Sequence, residues 1–165
     1  MDDGELVANL KRFPQRTTLR LHWAGWRRGR HIWDRLALPP SFDVFPAAQR
    51  VLTEFGGLIF KSASGYAKLD PMVGEEIAAE IQKYAAKLSR RLYPIGIVEG
   101  GDTIYILIDE RGVIYMLAGW LEPLASSFDR AIQYLAEVCA VNEAEKLQDL
   151  KTSGLLGLAW RIDEI

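Results

Sequence analysis

Few residues of this 165-residue chain are of a type that could do covalent chemistry. Cys139 is the single cysteine, and His22 and His31 are the only histidines. A nucleophilic thiol needs a base or a helix N-terminus beside it to ionise. Cys139 instead follows Val138 and lies four residues after Leu135, in an apolar helical pattern that predicts a structural, buried cysteine. The two histidines match no metal-ligand spacing, and no second cysteine or histidine cluster could complete a zinc site. A histidine-based triad would need one of them beside Cys139 or a serine, and no nucleophile-elbow, kinase or β-lactamase signature is present. Gly100-Gly101-Asp102-Thr103 is glycine-rich but joins two expected strands, whereas a phosphate cradle joins a strand to a helix. Glu75-Glu76 and Asp109-Glu110 are adjacent carboxylates. General acid–base pairs need environments that split their pKa values. A helix start and a hairpin tip are instead places where acids are common for local reasons. The expectation is a chain with no catalytic residue, cofactor, metal or small-molecule substrate.

Charge is spread unevenly. Residues 11–35 hold eight basic side chains against Asp34 alone, a net +7, so the rest carries −9 to reach the overall −2. Trp23, Trp26 and Trp33 are interleaved with those arginines. Aromatic stacking with positive charge suits single-stranded nucleic acid. The sequence pI of 5.7 argues against that use. The plainer expectation is that the basic segment pairs with the acidic remainder inside one fold. No apolar run reaches the roughly 20 residues of a membrane span. Met1-Asp2-Asp3-Gly4-Glu5 lacks a signal-peptide pattern, and one cysteine builds no disulfide framework. A cytoplasmic protein without membrane contact is expected.

The elements that would position these groups read as follows. Residues 19–23 alternate apolar and polar, which predicts a short strand. Residues 43–55 predict a helix with Asp43 as cap and Pro46 in the first turn, ended by Gly56-Gly57. A strand follows at 58–60. Residues 73–91 predict one long helix, with Ile77, Ile81, Tyr84, Leu88 and Leu92 on one stripe and Tyr93-Pro94 as its stop. Then comes a three-strand meander at 95–98, 103–108 and 113–117, with Gly112 in the hairpin loop. Both faces of these strands are apolar, so helices are expected on one face and another cover on the other. Ser127 caps a further helix, and Asn142-x-x-Glu145 opens a short last one. Residues 155–160 are apolar and are expected to pack back on the body or complete the sheet edge. The order is an α+β pattern with a mainly antiparallel central sheet, in a single domain over residues 1–165.

Several motifs in this order resemble a known family. Gly25-Trp26-Arg27-Arg28-Gly29-Arg30 resembles the GWxxGR signature of the SUKH superfamily of bacterial immunity proteins, in particular its third family. Glu54-Phe55-Gly56-Gly57 resembles its helix-to-strand junction, and Asp70-Pro71 its entry to the long helix. Tyr93-Pro94-x-Gly96 and Asp109-x-x-Gly112-x-x-Tyr115 resemble its strand entry and hairpin. The resemblance covers roughly residues 23–138. Arg28 stands where the family usually has proline, and residues 139–165 form an extension beyond the match. It implies a SUKH-like α+β fold and neutralisation of a cognate polymorphic toxin domain, of nuclease or deaminase type, by direct binding.

The matched residues have structural explanations: Trp26, Gly29, Arg30, Glu54, Phe55, Gly56, Gly57, Asp70, Pro71, Tyr93, Pro94, Gly96, Asp109, Gly112 and Tyr115 define the scaffold, with Trp26 and Arg30 expected to stack. The partner would then be read by acids and aromatics between the motifs. The candidates are Asp70, Glu75, Glu76, Glu99, Asp102, Glu110, Trp120, Glu122 and Asp129, with Trp120 as the best aromatic anchor. Two other readings stand beside this one. The chain could be a regulatory or scaffolding module with no toxin, or a nucleic-acid binder using the tryptophan–arginine segment.

Overall fold

A computed structural model describes residues 2, 4, 11–140 and 142–156. Five α-helices are present among them: α1 (Gln15–Trp23), α2 (Pro46–Phe55), α3 (Ala78–Leu88), α4 (Phe128–Leu135) and α5 (Glu143–Thr152). Short 3-10 helices occupy Trp33–Arg35 and Pro71–Ile77. Six strands, β1 (Ile59–Ser62), β2 (Gly65–Lys68), β3 (Leu92–Glu99), β4 (Thr103–Asp109), β5 (Ile114–Leu117) and β6 (Leu121–Ala125), form one sheet in chain order, antiparallel throughout. This is the expected α+β class.

Alternation along the strands builds two cores. Ile106 and Ile108 of β4 point to one face and join Leu52 and Phe55 of α2, Phe128 and Ile132 of α4, and Leu21 of α1. Leu107 points to the other and joins Ile81 and Tyr84 of α3, Tyr115, Leu117, and Leu150 of α5. Helices therefore cover both faces of the sheet, which is why β3 and β4 carry apolar residues at successive positions.

The sheet is twice as wide as the expected meander. β1 matches the strand expected at 58–60, whereas β2 and β6 are short, and their glycine, lysine and proline hide the strand pattern. β6 is an edge strand, where Pro123 costs no ladder bond.

Four local expectations need correction. Residues 19–23 are helical, not extended. The face that α1 buries is Thr17, Thr18 and Leu21, a helical spacing, while Trp23 is 73% exposed. The long helix at 73–91 is two pieces, a 3-10 helix and then α3, which ends at Ser89 in the left-handed region. Gly74 explains the tighter first piece: a Cβ there would lie 2.2 Å from the Pro94 Cβ, so the segment presses directly on β3. Tyr93-Pro94 do not stop a helix but lie within β3, with Leu92, and a register shift between Pro94 and Gly96 absorbs the missing N–H. Asp43 does not cap α2, which starts after Phe45 without a side-chain cap.

Other expectations hold. Ser127 Oγ accepts from the Arg130 N–H at 3.3 Å and Asn142 Oδ1 from the Glu145 N–H at 3.2 Å. Gly112 takes φ +91° in the hairpin. Leu155 packs into the second core, while residues 157–160 lie outside the described residues.

Candidate functional site

Four of the nine candidate contact residues converge. Glu76 lies at the end of the 3-10 helix, Glu99 at the end of β3, Asp102 in the turn before β4, and Trp120 in the turn before β6. Asp102 and Trp120 line a groove of about 400 Å³ together with Glu80, Thr103, Tyr105 and Gly119, and Glu76 and Glu99 adjoin it through their bonds to Tyr105 and Thr103. Its geometry is fixed from both sides. Tyr84 of α3 donates through its hydroxyl to the Gly119 carbonyl at 3.1 Å, which pins the turn holding Trp120. Thr103 donates to both oxygens of Glu99 at 2.9 and 3.1 Å, across the β3–β4 turn. Tyr105 donates to Glu76 Oε1 at 2.5 Å. Its hydroxyl is pushed up to about 12, by burial first, then by the Glu76 bond and the charges of Glu76, Glu99 and Glu80. Those three carboxylates thus crowd one hydroxyl. Among the described residues none of Glu76, Glu80, Glu99 and Asp102 is in an ion pair. The indole of Trp120 is 55% exposed at the rim.

The other five candidates have partners inside the molecule. Asp70 pairs with Lys68 at 3.1 Å and accepts from the Met72 N–H. Glu75 accepts from the Ser41 hydroxyl and N–H, and Glu110 from the Arg91 N–H at 2.8 Å. Glu122 is 3.5 Å from Lys146, and Asp129 holds Arg12 in a two-point bond at 2.8 Å.

A second constellation joins the N-terminal half. Trp26, only 3% exposed, donates from its indole Nε1 to Glu54 Oε1 at 3.2 Å. Arg12 donates to the same carboxylate at 2.6 Å, and Arg30 to the Glu54 main-chain carbonyl at 2.8 Å. Trp26 stacks flat on Phe55 with centroids 6.3 Å apart, and Phe13 meets both rings edge-on. The expected Trp26–Arg30 stack is therefore replaced by a shared grip on Glu54. The guanidinium over the aromatics is that of Arg12, 4.8 Å from the Phe13 centroid. Trp26, Arg30, Glu54 and Phe55 are residues of the GWxxGR and helix-to-strand motifs. A family model described as SUKH-3 immunity protein matches residues 13–137. The chain belongs to the SUKH-3 immunity protein family. Comparison with curated proteins and with solved structures gave no match.

Other SUKH-3 motif residues meet around Asp109, which is fully buried. It accepts from the Arg111 and Val113 N–H groups, from the Arg111 guanidinium, and from the Tyr115 hydroxyl at 3.0 Å. Burial, then the Asp109 charge, pushes the Tyr115 hydroxyl well above its ordinary range. Asp109 and Tyr115 thus tie the β4–β5 hairpin.

Cys139 is not helical as expected. It lies past the end of α4 with φ +58°, its N–H bonded to the Tyr134 carbonyl at 2.8 Å. Burial pushes its thiol up to about 11. Among the described residues no group of three or more His, Cys, Asp or Glu could hold a metal. No helix there is long and apolar enough to cross a membrane.

Sequence reasoning missed Glu80, Tyr105 and Arg12. The four-residue spacing of Glu76 and Glu80 was the available signal for the first. Tyr105 read as core, and nothing in the sequence ties Arg12 to residues 42 and 117 positions away.

Proposed function

We propose that this SUKH-3 protein is the antidote to a cognate polymorphic toxin domain of nuclease or deaminase type. It acts in the cytoplasm, as one domain over residues 1–165, by binding the toxin and without catalysis of its own. The acidic groove beside Trp120 carries this reading. Carboxylates held near one another without intramolecular cations raise the local negative potential. A basic partner surface relieves it, which speeds encounter and sets orientation. A toxin that cuts or edits nucleic acid presents such a basic surface to its substrate. The half-exposed Trp120 supplies the apolar anchor that charge alone lacks. Tyr84 and Thr103 fix the groove in advance, so little ordering cost falls on binding. The tryptophan–arginine segment offers nucleic acid less: Trp26 is buried and Trp33 half-buried, which leaves Trp23, 73% exposed, as its one open stacking face where a strand needs several in succession.

The test is co-expression with the toxin encoded beside this gene. Cells producing the wild-type chain are expected to survive, and purified chain and toxin domain to elute as one complex. Undiminished killing by the toxin, with the chain folded and abundant, would refute the proposal.

A further inference from the structure

A wide cleft elsewhere on the molecule shares no lining residue with the acidic groove. It has a volume of about 850 Å³ and runs between the loop after α1 and the outer side of α2. Four arginines, Arg12, Arg28, Arg30 and Arg50, line it against one carboxylate, Glu54, a net +3. Arg12 is held by Glu54 and by Asp129 beyond the cleft, so it adds no free positive charge. Arg28, Arg30 and Arg50 are the arginines of the cleft that no carboxylate pairs with among the described residues. Arg30 is held rigidly, since its Nη1 donates to the Glu54 carbonyl, and this bond brings no countercharge. Among the described residues the side chains of Arg28 and Arg50 have neither a hydrogen bond nor an ion pair, and both are exposed.

We propose that this cleft binds a small phosphorylated ligand, of nucleotide size and carrying at least two phosphate groups, between Arg28, Arg30 and Arg50. Arginine forks match phosphate oxygens two at a time, which a single ammonium cannot do. The volume falls within the roughly 300–1,000 Å³ typical of small-molecule sites. A continuous nucleic-acid strand would need exposed aromatic faces to stack its bases, and the tryptophan at this cleft, Trp26, is buried. A charged tail of a folded partner would need no concavity. The site lies on the segment that the acidic groove does not use, so it stands or falls independently of toxin binding.

The experiment is titration calorimetry on the full chain at low salt, with inorganic tripolyphosphate and ATP as probes. Citrate and an eight-residue oligothymidylate serve as comparisons. Both phosphate probes are expected to bind, with citrate and the oligonucleotide about tenfold weaker or more, a gap of about 1.4 kcal/mol. The double variant R28A/R50A is expected to lose at least about tenfold in phosphate affinity. Its thermal midpoint without ligand should stay that of wild type, since neither side chain holds the fold. E80K in the acidic groove is expected to leave phosphate binding intact. Absence of binding by both phosphate probes, or equal binding by R28A/R50A, overturns the proposal. Citrate as tight as tripolyphosphate makes the cleft a general anion surface and overturns it too. An oligonucleotide tighter than ATP assigns it to nucleic acid instead.

Discussion

The Tyr105 hydroxyl and the Glu76 carboxylate meet at 2.5 Å, tying the middle of the sheet to the 3-10 helix laid across it. The bond needs the proton on the phenol. In the folded chain Tyr105 ionises at about 12 instead of the ordinary 10.0. A group whose folded pKa is raised contributes its stability below the unfolded pKa and loses it as pH climbs through the folded value. Wild type is therefore expected to exceed Tyr105→Phe in unfolding free energy at pH 9, with the gap closing between about pH 10 and 12. Urea unfolding of both proteins across that range measures it. A gap constant to pH 12 would show that the phenol proton is not held by the carboxylate.

Charge and anchor in the groove should separate kinetically. Reversing Glu80 to Lys is expected to slow association with the toxin about tenfold at low salt, an effect that fades as salt rises, while dissociation changes little. Trp120→Ala is expected to speed dissociation and cost about 2 kcal/mol or more, roughly 30-fold in Kd. Stopped-flow or surface-based kinetics distinguishes the two. Wild-type kinetics in both variants would move the interface elsewhere on the molecule.

Two tryptophans three residues apart should behave oppositely. Trp26 is buried against Phe13 and Phe55 and bonded to Glu54. Its change to Ala is expected to cost about 3–5 kcal/mol. Trp23 is 73% exposed, and its change to Ala is expected to stay within about 0.5 kcal/mol. Thermal or chemical denaturation of each variant reads the difference directly.

Cys139 should be a slow thiol. A rise from 9.0 to about 11 lowers the thiolate fraction at pH 8 by about 100-fold. Alkylation by iodoacetamide in the native protein, followed by mass spectrometry, is expected to lag the same reaction in urea by at least that factor. Rates within about tenfold of each other would mean the thiol is open to solvent.

The sequence exposed those features whose cause is local. β4 and β5 show β-branched runs around a glycine hairpin. The Ser127 and Asn142 caps depend on residues three positions apart. What stayed hidden depends on distant partners. α1 is helical because Thr17, Thr18 and Leu21 pack on the body, although its own apolar residues alternate like a strand. The 3-10 geometry of Pro71–Ile77 follows from Gly74 meeting Pro94, twenty residues on. The candidate acids were chosen by type, and type could not tell Asp102, which faces solvent, from Asp129, which is spent on Arg12. Only the fold decides which charges remain uncompensated.

The chain-order sheet has a consequence for how the protein folds. Every strand pairs with its neighbour in sequence, and four of the five connections span two to four residues. Such hairpins close in microseconds with small loop entropy. The exception is β2 to β3, separated by residues 69–91, which include the 3-10 helix and α3. Joining the β1–β2 hairpin to the β3–β6 meander is thus the costly step, because it must wait for that helical segment to settle on Pro94. The folding barrier is expected to lie there, and mutations at this joint should slow refolding more than equally destabilising changes at either sheet edge.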